Sequence, residues 1–245
     1  MEKFMATHPD LWLVNQPLSS TEQIFAIFSN ASAVEPFKAW QRSLNTAPSP
    51  IWADTIYSEW EAVMPYVGIV ASDSQFLDWV ATTASCDWGW LAVSSASLEA
   101  VVEHLRSLTL VKMPNGKFVF FRFWDGRYLL PILQSVDVNA PELLPVIQRC
   151  LINGQSVDIG GCALQASKVF PWWEVSEPLL QYLDAEDAST LINNLMRWLS
   201  EEHRSLFEAF SESVLRRKVE TFLTTPGLSA GPKAELLEHL MEEVA

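Results

Sequence analysis

The chain has 245 residues, with 30 acidic against 16 basic side chains and a formal net charge of −14 at pH 7. A hydrophobic content of 49% and a charged content of 19% are typical of a globular protein and exclude a disordered one. The acidic balance argues against a nucleic-acid-binding protein, which needs a basic surface, and against binding to anionic membranes.

The cysteines and the lengths of the apolar runs indicate the cellular compartment of the protein. The three cysteines are odd in number and have no paired spacing, which fits a reducing cytosol better than a disulfide framework. The N-terminus lacks the long apolar segment of a signal peptide, and no run of about 18 apolar residues predicts a membrane span. We therefore expect a cytoplasmic protein without a membrane-spanning segment.

The first elements are predicted from short apolar runs. Leu11–Asn15 predicts a strand, and Ser20 and Gln23 have capping-box spacing ahead of an apolar run, which predicts a helix. A proline-containing loop follows. A break at Pro65 then precedes a buried strand over Tyr66–Ala71.

The next elements are marked by caps and turns. A helix capped by a serine at 72 or 74 leads to a strand that places Trp88 and Trp90 on one face. The clearest helix starts behind Ser97, with apolar residues at helical spacing. An Asn-Gly turn, a strand over residues 117–124 and a further helix from Gly126 complete this part.

The alternation of strands and helices predicts an α/β fold. We expect a mixed sheet with flanking helices in an N-terminal lobe, residues 1–150. Residues 151–245 are predicted as a C-terminal lobe of short strands followed by three amphipathic helices that form a small bundle. Neither an internal repeat nor a low-complexity tract is present.

The segment FVFFRFWDGRYLLPIL, residues 118–133, combines aromatic residues with three charges. Strand alternation would place Arg122 and Trp124 on a face with Phe118 and Phe120, where the guanidinium can stack on rings. Asp125 is in position to cap the following helix and to pair with Arg122 or Arg127. We interpret Arg122, Asp125 and Gly126 as a structural junction, because such pairs are more often structural than catalytic.

The sequence contains no P-loop and no GxGxxG motif. The four histidines are not spaced as metal ligands, so neither a metal nor a cofactor is expected. Two features leave an alternative open. His104 could act as a general base with Asp125, and the IGGC segment at 159–162 could be a nucleophile turn, although a structural glycine turn is the simpler interpretation.

Residues 87–133 contain four motifs in a fixed order: Trp88-Gly89, the tripeptide His-Leu-Arg at 104–106, a Pro-x-Gly turn at 114–116, and FRFWDGR at 121–127. This order resembles the signature of the type VI secretion effector chaperones, also called adaptor proteins. The resemblance covers roughly residues 10–135. It departs from the family pattern at Gly126, where proline is expected, and glycine is looser in a first helical turn.

The resemblance implies a cytosolic, non-enzymatic protein that binds a toxic effector and helps load it onto the secretion spike, the VgrG protein or its PAAR tip. Tryptophan and arginine dominate binding hot spots, and the chain has 11 tryptophans. The candidate partner-binding residues are Trp124, Arg127, Trp172, Trp173, Arg216 and Arg217. Two other functions stay open on the residues alone, namely an immunity protein that neutralises a toxin and a divergent hydrolase that uses His104 and Asp125.

Overall fold

The computed structural model describes residues 7–43, 45–161, 170–186, 188–223 and 232–244. The chain folds as two compact units, Met1–Leu179 and Leu180–Ala245. The strands near and after residue 150 pair with the sheet of the first unit.

The first unit contains every strand of the described residues. Its strands are β1 (Gln23–Ser29), β2 (Ser49–Pro50), β3 (Pro65–Val70), β4 (Gly89–Ser94), β5 (Leu110–Lys112), β6 (Phe118–Phe120), β7 (Arg149–Ile152) and β8 (Gln155–Asp158). Its helices are α1 (Pro9–Asn15), α2 (Pro36–Arg42), α3 (Gln75–Thr82), α4 (Leu98–Ser107), α5 (Gly126–Gln134) and α6 (Ala140–Leu143), with a short 3-10 turn at Glu61–Val63. Helix α7 (Glu177–Glu186) crosses the boundary between the units.

Six strands form one sheet in the order β2-β3-β1-β4-β7-β8, and each neighbouring pair is antiparallel. Strands β5 and β6 form a separate antiparallel hairpin around the Asn-Gly turn. A sheet with flanking helices, followed by helices near the C-terminus, confirms the predicted α/β fold class. The large sheet is antiparallel, whereas a mixed sheet was expected.

The predictions for the first two elements were wrong. Leu11–Asn15 lies in α1, which has Pro9 in its first turn, and the segment predicted as a helix forms β1. Strand β1 is hydrogen-bonded on both edges, to β3 and β4, and six of its seven residues are buried. Pairing and burial on both faces outweigh the local capping signal, because an apolar run of this length fits either structure.

Both faces of the large sheet are covered. One face packs Ile24 and Phe28 of β1 against Trp12, Trp40 and Phe76 from the first three helices. The alternate residues of β1, which point to the opposite face, are also fully buried. The sheet is therefore the centre of the hydrophobic core.

The predicted common face for Trp88 and Trp90 was wrong as well. Trp88 packs in the same cluster as Leu91 and Val93, whereas Trp90 donates its indole N–H to the carbonyl oxygen of Phe123 at 2.8 Å. The residue between them, Gly89, has φ of +143°, which interrupts the strand alternation. This glycine therefore sends the two indoles to opposite faces.

The predicted helix caps are confirmed. Ser74 caps α3, Ser97 caps α4 and Asp125 caps α5, each through a side-chain oxygen that accepts a backbone N–H. The strand predicted over residues 117–124 is shorter than expected. It ends at Phe120, because the backbone from Phe121 to Trp124 turns towards the start of α5.

The second unit is helical in its described residues. It contains α8 (Ala188–Glu202), α9 (Arg204–Glu208), α10 (Glu212–Leu223) and α11 (Pro232–Val244). Its core joins α8, α10 and α11 through the buried residues Leu195, Trp198, Leu199, Leu215, Val219, Phe222, Leu236 and Leu240. Within the described ranges, no helix combines the length and apolar character needed to cross a bilayer.

We expect Gly89→Ala to lower the free energy of unfolding by about 3 kcal/mol or more, since a left-handed backbone and a steric clash both oppose the added methyl group. A Cβ atom at this position would lie 2.1 Å from the carbonyl oxygen of Ile27. Urea denaturation followed by tryptophan fluorescence measures the change. Gly116→Ala is the control, because Gly116 also has positive φ but nothing lies within 4 Å of its Cβ position. Equal losses for the two variants would contradict the steric part of this explanation.

Candidate functional site

A buried carboxylate organises the start of α5. The side chain of Asp125 is fully buried, and its Oδ1 accepts the backbone N–H of Arg127 at 3.0 Å. The Arg127 guanidinium donates to the same carboxylate at 3.1 and 2.9 Å, and Arg122 donates to Oδ2 at 2.8 Å. The predicted junction is therefore present, and both arginines take part rather than one.

The two arginines also pack on one ring. The guanidinium carbon of Arg122 lies 5.1 Å from the ring centroid of Tyr128, and that of Arg127 lies 5.9 Å from it. Arg122 was expected to stack on aromatic residues of its own strand face. It stacks on Tyr128 instead, because the chain leaves the strand at Phe120.

Asp87 extends the charge network. Its carboxylate lies 3.5 Å from the Arg127 guanidinium and accepts hydrogen bonds from Ser32 and Ser85. Burial raises the pKa of Asp87, but the two serine hydrogen bonds and the charge of Arg127 outweigh it, so that the net pKa is lowered. Hydrogen bonds to Asp125, opposed in part by burial, raise the pKa of Arg127 above its usual value, and this residue stays charged.

Gly126 is required by close packing. A Cβ atom here would lie 2.9 Å from Oδ1 of Asn153 and 2.9 Å from a methyl carbon of Ile152. The residue is buried at the first position of α5. The departure from proline at this position therefore coincides with a close approach of the β7–β8 turn, which leaves no room for a side chain.

The segment between β6 and α5 is anchored by two further hydrogen bonds. Phe121 donates its N–H to the carbonyl oxygen of Thr109, and the carbonyl oxygen of Phe123 accepts the indole N–H of Trp90. Trp124 follows, and it is buried with its ring centroid 5.4 Å from that of Trp52. Trp124, a predicted partner-binding residue, thus supports a surface from below instead of lining it.

Three partly exposed rings pack against Trp52, whose ring also contacts Trp124. Tyr57, Trp60 and Phe120 have mutual centroid distances of 5.1 to 5.4 Å, and we call these three residues the aromatic patch. The buried Trp52 contacts all three and donates its indole N–H to Thr109 at 3.0 Å. Trp60 is 46% exposed although tryptophan is costly to leave in water. Such exposure is typical of a binding surface.

Strand β6 continues the aromatic patch. Its residues Phe118, Val119 and Phe120 are 55%, 38% and 40% exposed. A groove of about 550 Å³ borders Tyr57 on another side. It is lined by Thr55, Ile56, Tyr57, Glu103, Arg106, Ser107, Thr109 and Phe170.

Sequence analysis missed Tyr57, Trp60, Phe118 and Val119. The available signals were a tryptophan between two glutamates and four consecutive apolar residues after a turn.

Trp172 and Trp173 lie against the hairpin and α4. Trp172 donates its indole N–H to Ser107 at 2.9 Å, and the Trp173 ring lies 5.2 Å from that of Phe121. The backbone pairs with β5, since Lys112 donates to the Trp173 carbonyl and accepts from the Val175 N–H. Both indoles are half-buried, so each has a structural contact and a surface that remains accessible.

Arg216 and Arg217 lie on α10 in the second unit. Arg216 donates to the side-chain oxygen of Asn193 at 2.7 Å, and Arg217 is exposed. The neighbouring Lys218 lies 5.3 Å from the ring centroid of Phe210. The residues predicted to bind a partner thus fall into three places. Trp124 and Arg127 adjoin the Asp125 junction, and Trp172 and Trp173 adjoin β5 and α4. Arg216 and Arg217 belong to the second unit.

The residues of the hydrolase hypothesis have other contacts. Asp125 is engaged by its two arginines, and a ring nitrogen of His104 lies 2.8 Å from the carbonyl oxygen of Leu143. Cys162 of the IGGC segment lies outside the described residues. Cys150 is buried, and burial raises the pKa of its thiol above the usual range, so it remains protonated. Across the described ranges, no group of three or more potential ligands is placed to hold a metal ion.

Comparison with protein-family models gives a match over the centre of the first unit. Residues 24–140 match the model of a domain of unknown function, DUF4123, which is associated with type VI secretion effector adaptors. The match begins in β1 and ends at the start of α6, so it contains the sheet centre, the Asp125 junction and the aromatic patch. The searches of curated proteins and of solved structures found no match. The matched segment thus contains all four sequence motifs on which the resemblance rests.

We expect Asp125→Asn to lower the free energy of unfolding by about 2 to 4 kcal/mol, because it weakens three charged hydrogen bonds at a buried position. Chemical denaturation measures the change. Asp87→Asn serves as the comparison and should cost only about 1 kcal/mol, because Asp87 is partly exposed. A loss at Asp125 no larger than that at Asp87 would contradict the central role of this carboxylate.

The lowered pKa of Asp87 predicts a pH-dependent difference between the wild type and Asp87→Asn. A carboxyl group whose folded pKa lies below its ordinary 3.8 contributes stability above that value and loses it as pH falls through the lowered pKa. The wild type should therefore exceed Asp87→Asn in unfolding free energy above pH 3.8, and the difference should shrink as the pH falls below 3.8. Urea denaturation at a series of pH values checks this, and a constant difference would refute it.

Proposed function

We propose that the chain is an adaptor that binds a type VI secretion effector and helps load it onto the VgrG or PAAR spike. The observation that carries the proposal is the match of residues 24–140 to a family associated with such adaptors. The aromatic patch and β6 both lie inside the matched segment. Exposed tryptophan and phenylalanine side chains suit a surface that holds a protein partner.

The proposal assigns binding rather than catalysis to this protein. Asp125 is buried under two arginines, which suits a structural carboxylate better than a general acid or base. The proposal places the complex in the cytosol, before export. An apolar surface there would shield the segments of an effector that otherwise aggregate.

Affinity capture of the tagged chain from its native cytosol tests the proposal. We expect an effector and a spike protein to be recovered in stoichiometric amounts and identified by mass spectrometry. Deletion of the gene should abolish secretion of that effector while the spike is still secreted. Recovery of a toxin alone, with its activity blocked, would favour an immunity protein instead, and a preparation that contains neither protein would refute the adaptor function.

We expect the double substitution Trp60→Ala and Phe120→Ala to weaken effector binding at least tenfold, because hot-spot aromatic residues each contribute about 2 kcal/mol. Titration calorimetry with the purified effector measures the change. Val136→Ala is the matched control, since Val136 is an apolar residue with 99% exposure that lies outside the aromatic patch. Thermal unfolding of each variant shows whether the fold is kept. Unchanged affinity in a folded double variant would remove the aromatic patch from the binding surface.

A further inference from the structure

The hairpin has an edge whose backbone groups point away from the protein. Phe121 donates to Thr109 and Met113 donates to Lys117, and these two hydrogen-bonded pairs bracket the β5–β6 ladder. Hydrogen-bonded pairs alternate along an antiparallel ladder, so Val119 and Val111 form the pair between them. The N–H and C=O groups of Phe118 and Phe120 therefore point to the outer edge of β6.

The opposite edge of the hairpin supports this assignment. Lys112 is the ladder partner of Phe118, so its N–H and C=O groups should point outward from β5. They bind Trp173 at 2.9 Å and Val175 at 2.8 Å. The edge of β5 is thus covered by a strand-like segment of the same unit. Among the residues that the structure describes, the outward groups of Phe118 and Phe120 have no such hydrogen bond.

Edge strands of soluble proteins are usually shortened, charged or covered, because an open apolar edge pairs with other chains. Strand β6 is short, but its three side chains are apolar and exposed. Its end at Phe120 meets Trp60 and Tyr57 of the aromatic patch. The surface therefore offers backbone pairing and ring contacts next to each other.

Charges near the aromatic patch restrict the partner. Glu59 and Glu61 flank Trp60 and are exposed, as is Asp54 in the same loop. The whole chain carries a net charge of −14, which disfavours pairing of this edge with a second copy. A partner segment with basic residues would be attracted, and attraction of this kind increases the rate of association.

We propose that β6 binds an extended segment of the partner polypeptide as an added β-strand, with large apolar side chains at alternate positions that contact Trp60 and Phe120 and a basic end near Glu59 and Glu61. This inference rests on the proposed function, since the adaptor's effector would supply the segment. The backbone hydrogen bonds go to Phe118 and Phe120, and the side chains determine which segment binds.

A substitution pair separates backbone pairing from side-chain contact. Phe118→Ala removes the ring and keeps the outward N–H, whereas Phe118→Pro removes both. Neither change removes a ladder bond to β5, because the Phe118 N–H points away from it, and proline is tolerated on strand edges. We expect the Phe118→Pro variant to bind the partner segment about fivefold to tenfold more weakly than the Phe118→Ala variant does, because it lacks at least one more backbone hydrogen bond.

The probe is a synthetic peptide of alternating threonine and valine around one phenylalanine, with two lysines at one end and a fluorophore. Fluorescence anisotropy with the full chain measures binding. We expect saturable binding that is lost when alternate peptide nitrogens are methylated and weakened when the lysines are replaced by glutamates. No saturable binding to the wild type, or equal affinity of folded Phe118→Ala and Phe118→Pro, would overturn the proposal. A dimer that Phe118→Pro dissociates would also overturn it, since the edge would then serve a second copy.

Affinity capture from the native cytosol with Phe118→Pro distinguishes this inference from the adaptor function. If the peptide does not bind and the variant still recovers effector and spike, the edge assignment fails and the adaptor function stands. If the wild type recovers neither protein, the adaptor function itself fails.

Discussion

The buried carboxylate of Asp125 is the interaction on which the candidate surface depends. It caps α5 and holds the side chains of Arg122 and Arg127 on either side of the turn that leads into the helix. That turn directs Trp124 beneath Trp52, which in turn supports the rings of the aromatic patch. A buried ionic group of this kind favours one geometry more than it adds stability, because desolvation offsets much of the attraction. The junction is thus a positioning element for a surface several residues away.

Local chemistry in the sequence predicted the junction and the helix caps, because their partners are close in the chain. Asp125, Arg122 and Arg127 lie within five positions, and Ser74 and Ser97 cap helices that begin directly after them. The identity of β1 could not be predicted in this way. Its apolar run becomes a strand because β3 and β4 pair with both of its edges, which are contacts between distant segments.

The site was predicted only in part, for the same reason. Alternation placed Trp124 on one strand face with Phe118 and Phe120, but the strand ends at Phe120 and the indole is buried. Trp60 and Tyr57 come from a loop about 60 residues before β6, so no pattern within the FRFWDGR segment could reveal them. The tryptophans at 172 and 173 were singled out as a pair. The Trp173 carbonyl binds the β5 edge, whereas the Trp172 indole binds Ser107 at the end of α4. Within the described part of the chain, β6 is then the open edge of the hairpin.

An open edge next to a group of aromatic rings has a simple energetic consequence. Four backbone groups at about 1 kcal/mol each would support only millimolar binding, and they carry no sequence information. Ring contacts with the aromatic patch add the several kcal/mol that a stable complex needs, because hot-spot aromatic residues contribute about 2 kcal/mol each. Charge then selects among apolar segments, since a chain of net charge −14 repels acidic ones. In the proposed complex, the backbone edge would suit many partners, and the rings and carboxylates around Trp60 would determine which of them stay bound.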